Sequence, residues 1–366
     1  MAACGGGESG PDWGTLEIGP ATDILIGVAG ADGSDLTSRT QILSGLDLAV
    51  SDAFELRGHR IATLRVDGSC SDAARELADT EGVVAVVLVA CGDDLADALS
   101  TLTDVRMTTL LVSDTMPIPV PDAPALRVGW SDARVAPVQG RFVAQLLGVG
   151  SVTIVRSPST VSVGVTRAFR LSQGEVAVDA EVVLRPTDES DSAATEIVAS
   201  GAQGVYIALE PLDATRLTEA LLRAGSQAVM LLAPFASVPE VFEGRFDSSA
   251  EGVVLTQPAT VIEDSEALDD WRRRYTERFD LTLREDDLAP FVYDGVTALF
   301  AALESEDDPG VDGTLRIDRY GFYAALRDIS HAGVAGTLSF NEAGDREGPI
   351  EEDFFQVVGP DLVVIE

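Results

Sequence analysis

Acidic side chains dominate the groups in this sequence that could take part in chemistry. The chain has 61 Asp and Glu residues but only 2 His and 3 Cys. Zinc sites need Cys and His ligands at short, regular spacings, whereas Cys70 and Cys91 lie 21 residues apart and His59 and His331 each stand alone. Gly-x-Ser-x-Gly, His-Glu-x-x-His and the phosphate-binding loop ending in Lys and Ser or Thr are absent. Because carboxylates are so frequent that their spacing carries no information, the sequence predicts no metal site, no cofactor and no enzyme.

Eight candidate ligand-binding residues come just after predicted strands. Two short polar segments follow the buried runs that end at Val89 and Val112, and single residues follow two later runs. The carboxyl ends of parallel strands lie at one edge of a sheet, and open α/β sheets bind ligands at that edge. The candidate ligand-binding residues are therefore Gly92, Asp93, Asp94, Ser113, Asp114, Thr115, Glu210 and Phe235.

Each candidate also has a simpler interpretation that the sequence leaves open. Asp93 or Asp94 could cap the helix that follows, because Asp is a preferred N-cap residue. The segment 113–115 could be an ordinary turn, since Ser, Asp and Thr favour turns. Glu210 could be a solvated loop carboxylate. Phe235 could belong to the core as readily as to a stacking surface.

The elements that must position these residues alternate between strand and helix. Ile42, Leu46, Ala49, Val50 and Ala53 fall on one face of a helix near residues 39–53. Loops between elements are short and rich in Gly, Pro, Asp and Ser. Runs typical of buried strands lie at 83–89, 109–112, 152–155, 182–184, 205–209 and 228–232. The alternation predicts an α/β fold with parallel sheets flanked by helices.

Composition limits the partners of the chain. Its 366 residues are enough for two domains with separate cores. The formal net charge is −36, and all 25 basic residues are arginine. Such a field repels nucleic-acid phosphates and anionic lipid headgroups, so we expect neither as a partner. No run reaches the ~20 apolar residues that a transmembrane helix needs.

The first third of the sequence has a specific order of features. A strand (Asp23–Gly30), a helix and a second strand (Arg60–Val66) are followed by Cys70, and Cys91 comes just after the next strand. This order resembles the opening of the type I periplasmic binding proteins, the branched-chain amino acid receptors of ABC transporters. In that family a cysteine after the second strand commonly bridges to one after the third. The resemblance therefore implies a disulfide between Cys70 and Cys91, and with it an oxidising compartment.

The end of the chain carries a second resemblance to the same family. Gly336–Asp345 reads GTLSFNEAGD, similar to the Gly-x-Leu-Ser-Phe-Asp/Asn-x-x-Gly-Asp hairpin of these receptors. The resemblance implies two lobes, each a parallel sheet flanked by helices, threaded by crossings near Arg127–Trp130, Gly252–Gln257 and Gly333–Gly336. Lobe 1 would contain residues 22–130 and 259–332, and lobe 2 residues 131–258 and 333–366. A cleft between the lobes would hold the ligand and close by a hinge.

The N-terminus resembles the end of a bacterial lipoprotein signal. Ala2 and Ala3 precede Cys4, which would be lipidated, and a Gly-rich tether follows as part of residues 1–21. The charged and apolar regions of an export signal do not precede it in this sequence. The expected location is extracytoplasmic, in the periplasm or at the cell surface, with a lipid anchor on Cys4.

The residues that hold the ligand in this family are only partly matched. The family's loop reads Cys-Ser-Ser-Ser-Thr and clamps the ligand carboxylate, whereas here Gly92, Asp93 and Asp94 follow the cysteine. Thr115 partly matches a clamp threonine. Phe235 takes the place of the acid that pairs the ligand ammonium. We therefore expect a neutral polar or cationic small ligand instead of a branched-chain amino acid.

The function implied by the resemblance is that of an extracytoplasmic solute-binding lipoprotein. It would capture a small ligand by hinge closure and present it to an ABC permease in the membrane. Two alternatives stay open. The chain could be a ligand-sensing receptor or regulatory ectodomain of the same fold, or a non-catalytic structural protein with a degenerate cleft.

Overall fold

The computed structural model describes most of the chain, in two compact units. The described residues are 11–30, 36–113, 116–145, 147–171, 176–185, 189–237, 253–260, 262, 264–282, 288–310, 312–348, 350–358 and 361–365. Unit 1 comprises Met1–Asp114, Ile118–Gly129 and Val261–Gly348. Unit 2 comprises Thr115–Pro117, Trp130–Thr260 and Pro349–Glu366.

Strands and helices alternate through both units. Along the chain the elements are β1 (Thr15–Ile18), β2 (Ile24–Gly30), α1 (Leu36–Ala53), β3 (Glu55–Leu56), β4 (His59–Val66), α2 (Cys70–Asp79), β5 (Val83–Val89), α3 (Leu95–Asp104), β6 (Thr108–Val112), β7 (Ala125–Arg127), α4 (Asp132–Gln145), β8 (Ser151–Arg156), α5 (Thr160–Leu171), β9 (Ala177–Val183), α6 (Ser190–Ser200), β10 (Gly204–Ala208), α7 (Pro211–Arg223), β11 (Val229–Leu232), β12 (Val253–Thr260), α8 (Glu266–Phe279), α9 (Ala289–Ser305), β13 (Asp307–Pro309), β14 (Leu315–Asp318), α10 (Arg319–Arg327), β15 (His331–Gly333), β16 (Gly336–Leu338), β17 (Ile350–Val358) and β18 (Asp361–Ile365).

Unit 1 is built on a six-stranded sheet with the order β3-β4-β2-β5-β6-β7. Its neighbouring strands are parallel except for the short β3, which is antiparallel to β4. All seven residues of β5 are buried, as expected for a central strand covered on both faces by helices. Unit 1 also contains a small antiparallel sheet, β1-β14-β13, and the two-stranded sheet β15-β16.

Helix α1 packs against the rest of unit 1 through the face that the sequence predicted. Ile42, Leu46 and Ala49 are all at most 3% exposed. Gly45 lies on the same helix, and a Cβ there would be 2.4 Å from the Ala289 carbonyl oxygen. Glycine at this position therefore allows α1 and α9 to approach closely.

Unit 2 is built on a seven-stranded sheet with the order β18-β17-β12-β11-β10-β8-β9. Strands β9, β8, β10, β11 and β12 are parallel, and β17 and β18 add an antiparallel hairpin. Both main sheets are thus largely parallel and mixed, in agreement with the predicted α/β class. Inside the apolar core, Gln139 donates to Thr256 at 2.9 Å and accepts from the Tyr206 hydroxyl at 3.0 Å. This buried chain of hydrogen bonds ties α4 to β12.

The hairpin β15–β16 belongs to unit 1, whereas the sequence analysis assigned residues from 333 onward to lobe 2. The reason is a buried carboxylate on α9. Asp294 accepts hydrogen bonds from the backbone N–H groups of Val334 at 2.6 Å and Ala335 at 3.0 Å. The chain passes to unit 2 only after Gly348, because these bonds and the Arg127–Asp345 ion pair hold the segment before it.

A search for membrane spans was made over the described residues only. None of the helices found there has both the length and the apolar character that crossing a membrane requires.

Candidate functional site

The candidate residues of unit 1 lie at one edge of its sheet. Strands β5 and β6 are parallel neighbours, with Val89 opposite Val112, so the residues that follow both strands come together. Gly92–Asp94 form a short 3-10 turn before α3. Ser113, directly after β6, is exposed and adopts a left-handed φ of +66°. Asp114 and Thr115, predicted with it, lie outside the described residues.

One interpretation of the sequence was that Asp94 caps the helix that follows it. The structure does not support this interpretation. The Asp94 side chain makes no capping hydrogen bond to α3. The Asp94 carboxylate instead accepts a hydrogen bond from the Ser71 backbone N–H at 2.7 Å, in the first turn of α2. Ser69 caps the same helix by accepting from the Asp72 N–H. Asp94 therefore helps to satisfy the free N–H groups of α2, while the neighbouring Asp93 is exposed.

A disulfide joins Cys70 to Cys91, which confirms the pairing implied by the family resemblance. The two Cα atoms lie 5.7 Å apart. The bond links the first residue of α2 to the loop after β5, so the loop is tied to α2 both covalently and through Asp94. Gly30 makes room for this link. A Cβ on Gly30 would lie 2.8 Å from the Cys70 Sγ and 2.2 Å from the Val89 carbonyl oxygen, and its φ is +95°.

The candidate residues of unit 2 lie at the corresponding edge of the second sheet. Strands β10 and β11 are parallel neighbours, with Ile207 opposite Leu232. Glu210 is exposed at the N-cap position of α7, and its side chain does not cap that helix. Phe235 lies in a short 3-10 turn after β11 and is partly buried against the core of unit 2. The core interpretation of Phe235 thus has direct support.

Three serines at the same edge were not among the candidate ligand-binding residues of the sequence analysis. Ser162 donates to the Ala208 carbonyl oxygen at the end of β10 and accepts from the Ser157 N–H at 3.0 Å. The Ser159 hydroxyl accepts from the Ser162 N–H at 3.2 Å and lies 2.9 Å from the Ser157 hydroxyl. Hydroxyl groups thus lie at the start of α5, beside the end of β10, the strand that Glu210 follows. The sequence feature that could have identified them is the run Ser157-Pro158-Ser159-Thr160, which follows a buried strand and is typical of the start of a helix.

The chemistry available at both edges is that of hydrogen bonding and negative charge. Unit 1 offers Asp93, Asp94 and Ser113, and unit 2 offers Glu210 with the partly exposed hydroxyls of Ser157 and Ser159. A search for groups of three or more His, Cys, Asp or Glu side chains that could hold a metal found none within the described ranges. The arrangement can bind polar or positively charged groups through acceptor oxygens.

The sequence profile of the periplasmic binding proteins matches residues 24–357. The chain belongs to the periplasmic binding protein family. The match covers the six-stranded sheet of unit 1, the seven-stranded sheet of unit 2 up to residue 357 and therefore without β18, and all of the described candidate residues. It confirms the predicted family, and it agrees with the prediction of a binding protein in place of an enzyme.

Solved structures of similar fold include three binding proteins from different bacteria. A leucine-binding protein LivK from Thermotoga maritima has 17% sequence identity and a TM-score of 0.71, with 94% of this chain and 98% of that chain covered. LivJ from Streptococcus pneumoniae, in complex with isoleucine, has 14% identity and a TM-score of 0.67, with coverages of 94% and 99%.

A solute-binding protein of an ABC transporter from Rhodopseudomonas palustris, in complex with 3,4-dihydroxybenzoic acid, has 15% identity and a TM-score of 0.68, with coverages of 94% and 96%. At these identities the similarity establishes the fold and not the ligand. A search of curated protein sequences gave no match.

Proposed function

We propose that this binding protein is the extracytoplasmic solute-binding component of an ABC transporter. It captures a small polar ligand with residues from the carboxyl edges of its two sheets and presents the ligand to a membrane permease. The observation that carries the proposal is the match to the periplasmic binding protein family over residues 24–357. The candidate residues of both units also support the proposal, because polar groups follow the carboxyl ends of strands in each sheet, and α/β proteins bind ligands at such edges.

The ligand that fits these edges best is neutral and polar, or cationic. The similar proteins from other bacteria are in complex with isoleucine and with 3,4-dihydroxybenzoic acid, both of which carry a carboxylate. In this chain Asp94 already accepts from the Ser71 N–H, and Asp93 adds a second negative charge beside it. A ligand carboxylate held there would meet like charges in place of donors.

The energetic penalty for a carboxylate ligand is large enough to decide binding. Desolvation of an unpaired carboxylate and repulsion from neighbouring Asp side chains together cost several kcal/mol. Micromolar binding corresponds to about 8 kcal/mol. A loss of several kcal/mol therefore reduces micromolar binding to the millimolar range or weaker.

A two-step experiment tests the proposal. A thermal-shift screen over amino acids, amides, polyamines, sugars and aromatic acids identifies ligand classes, and titration calorimetry then measures leucine, isoleucine, valine and each hit. We expect a neutral or cationic hit, and affinity reduced at least tenfold in D93N or E210Q. D104N and E196Q, which alter exposed acids on α3 and α6 away from these edges, should bind like the parent. Micromolar binding of a branched-chain amino acid would contradict the proposed ligand class.

Cys4 supports the proposed location at the cell surface, although it lies outside the described residues. In the proposal the cysteine carries a lipid that holds the receptor near its permease. Expression in a bacterial host behind a lipoprotein export signal should give a membrane-associated protein that a C4S variant releases. Equal partition of the two forms would remove the lipid anchor from the proposal without affecting the ligand assignment.

A further inference from the structure

Three aromatic side chains meet on the surface of unit 1. The centroid of the Trp13 ring lies 5.1 Å from that of Tyr320 and 5.4 Å from that of Tyr323. The Arg106 guanidinium lies 5.2 Å from the centroid of the same tryptophan, a distance at which the charge and the ring attract each other. All four residues are partly exposed, so the cluster is accessible to a partner.

Helix α10 adds two more arginines to this cluster. Arg319 and Arg327 lie on the face of α10 that carries the two tyrosines, because positions i, i+1, i+4 and i+8 of an α-helix project within about 100° of one another. The helix is also tied to the chain beside the tryptophan, since the Arg319 N–H donates to the Gly14 carbonyl oxygen at 3.1 Å. We call this surface the aromatic–arginine patch, and its members are Trp13, Arg106, Arg319, Tyr320, Tyr323 and Arg327.

The arginines of the patch lack carboxylate partners. Within the described ranges Arg106, Arg319 and Arg327 form no ion pair, although the chain has 61 acidic residues. Burial lowers the pKa of Arg319, and no nearby carboxylate opposes this effect. Asp318, its neighbour in sequence, instead caps α10 by accepting from the Gly321 N–H at 2.6 Å. Three guanidinium groups are therefore available to an external anionic group.

The place of the patch in the chain limits its distance from a lipid on Cys4. Cys4 lies outside the described residues and nine positions before Trp13. Nine residues span no more than about 30 Å when they are fully extended. In the anchored protein proposed above, the patch therefore lies within about 30 Å of the bilayer surface.

The side chains of the patch suit the headgroup layer of a bilayer. Tyr and Trp are enriched at membrane–water interfaces, where the ring is in apolar surroundings and its N–H or O–H group is in polar ones. Arginine binds phosphate groups through two parallel hydrogen bonds. Two exposed acids, Asp12 and Asp328, border the patch in sequence, so this surface offers both signs of charge.

A zwitterionic headgroup matches this distribution of charge better than an anionic one. It carries a phosphate for the arginines and an ammonium for the bordering acids. An anionic headgroup has no ammonium to balance its phosphate, and it would be repelled by the field of a chain with a net charge of −36.

We propose that the aromatic–arginine patch docks unit 1 onto zwitterionic phospholipid headgroups beside the lipid anchor on Cys4. The three aromatic rings enter the headgroup layer, and the three arginines bind lipid phosphates. The anchor belongs to the proposed function, and docking adds a second contact with the same bilayer. This second contact sets which surface of unit 1 faces the membrane.

The test supplies the anchor chemically, so that it does not depend on lipidation in a cell. Cys70 and Cys91 form a disulfide, which leaves Cys4, the third cysteine of the chain, for coupling to a maleimide lipid in phosphatidylcholine vesicles. Failure of the anchor would appear in cells as equal partition of the parent and C4S. Failure of docking would appear on these vesicles, so the two results are distinguishable.

Trp13 reports docking through its fluorescence. Part of the vesicle lipid carries a nitroxide on its headgroup, which quenches nearby tryptophans. A W130F background leaves Trp13 and the fully buried Trp271. We expect W13F/W130F, which keeps only the buried tryptophan, to show at most half of the quenching seen in W130F. Equal quenching of these two proteins would overturn the proposal.

Substitutions in the patch test the role of the arginines. In the W130F background, R106Q/R327Q should lose at least half of the quenching. The control is R141Q/R167Q, which removes two exposed arginines from α4 and α5 of unit 2 and changes the net charge equally. This control should be quenched like W130F itself. Equal quenching of the two double variants would contradict docking through the patch.

A longer tether separates docking from simple proximity and needs no substitution in the patch. A glycine–serine insertion of about ten residues after Gly7 adds roughly 30 Å to the reach between Cys4 and Trp13. If the patch holds Trp13 at the headgroups, more than half of the quenching is retained. A larger loss would overturn the proposal, because Trp13 would then approach the bilayer only through the shortness of the tether.

Discussion

Asp294 should make the stability of unit 1 fall as the pH rises from about 4 to 6. The side chain is fully buried, and burial raises its pKa from 3.8 to about 6, although the Val334 and Ala335 N–H groups and Arg346 favour the charged form. The folded state therefore binds the proton more tightly than the unfolded state. This contribution to stability is complete below pH 4 and is lost as the pH passes through the folded-state pKa.

The size of the effect follows from the difference between the two pKa values. One pKa unit corresponds to about 1.4 kcal/mol, so a difference of about two units gives about 3 kcal/mol between pH 4 and pH 7. Because the carboxylate is buried, solvent screening does not reduce this figure in the way it does for exposed acids. A change of this size is a large fraction of the stability of a typical domain.

Comparison with D294N isolates this contribution from the other acids of the chain. Urea unfolding at a fixed, high salt concentration is followed by tryptophan fluorescence in a W130F background, where both remaining tryptophans, Trp13 and Trp271, belong to unit 1. The free energy of unfolding of the parent minus that of D294N should decrease by about 3 kcal/mol from pH 4 to pH 7. The control is E304Q, which alters an exposed acid on the same helix. Its free energy of unfolding, plotted against pH, should run parallel to that of the parent. A difference that is constant, or that grows with pH, would refute the reasoning.

Two further predictions concern the loop after β5. The C70S/C91S variant should be less stable than the parent by about 3 kcal/mol in urea unfolding, the chain-entropy value for a loop of this length, and a loss below about 1 kcal/mol would show that the loop is held mainly in other ways. D94N should lower the free energy of unfolding by about 1 kcal/mol, because an amide accepts from the Ser71 N–H more weakly than a carboxylate does. D93N, which alters the exposed neighbour, is the control and should lower it by less. Equal losses of stability in the two variants would contradict the structural role of Asp94.

The fold was predictable because its signals are local. The unbroken apolar run of β5 can be read without knowing what packs on it, and every residue of that run is buried. The face of α1 likewise follows from its helical period, as Ile42 and Leu46 confirm. The sequence order of strands and helices then leaves few topologies, because parallel strands need crossover connections.

The site was predictable only in outline. Strand ends predicted which loops share an edge, but the partner of each side chain depends on contacts that sequence spacing does not encode. Asp93 and Asp94 are identical in type and adjacent, yet Asp94 turns to the Ser71 N–H of another helix and Asp93 is exposed. Arg127 pairs with Asp345, a residue 218 positions away. Such choices are made by tertiary packing.

The division between predicted and unpredicted features follows the cost of burying charge. The chain has 61 acidic residues, and among the described side chains the buried ones are Asp132, Asp294 and Asp345. An exposed acid interacts only weakly with its neighbours, so its substitution changes little. Asp294 and Asp345 are buried in unit 1, and there each carboxylate has named partners: backbone N–H groups for Asp294 and a guanidinium for Asp345. Burial without such partners would cost several kcal/mol. Asp294, through which the stability of unit 1 responds to pH, is therefore one of the few acids that the structure removes from solvent, and composition alone does not distinguish it from the others.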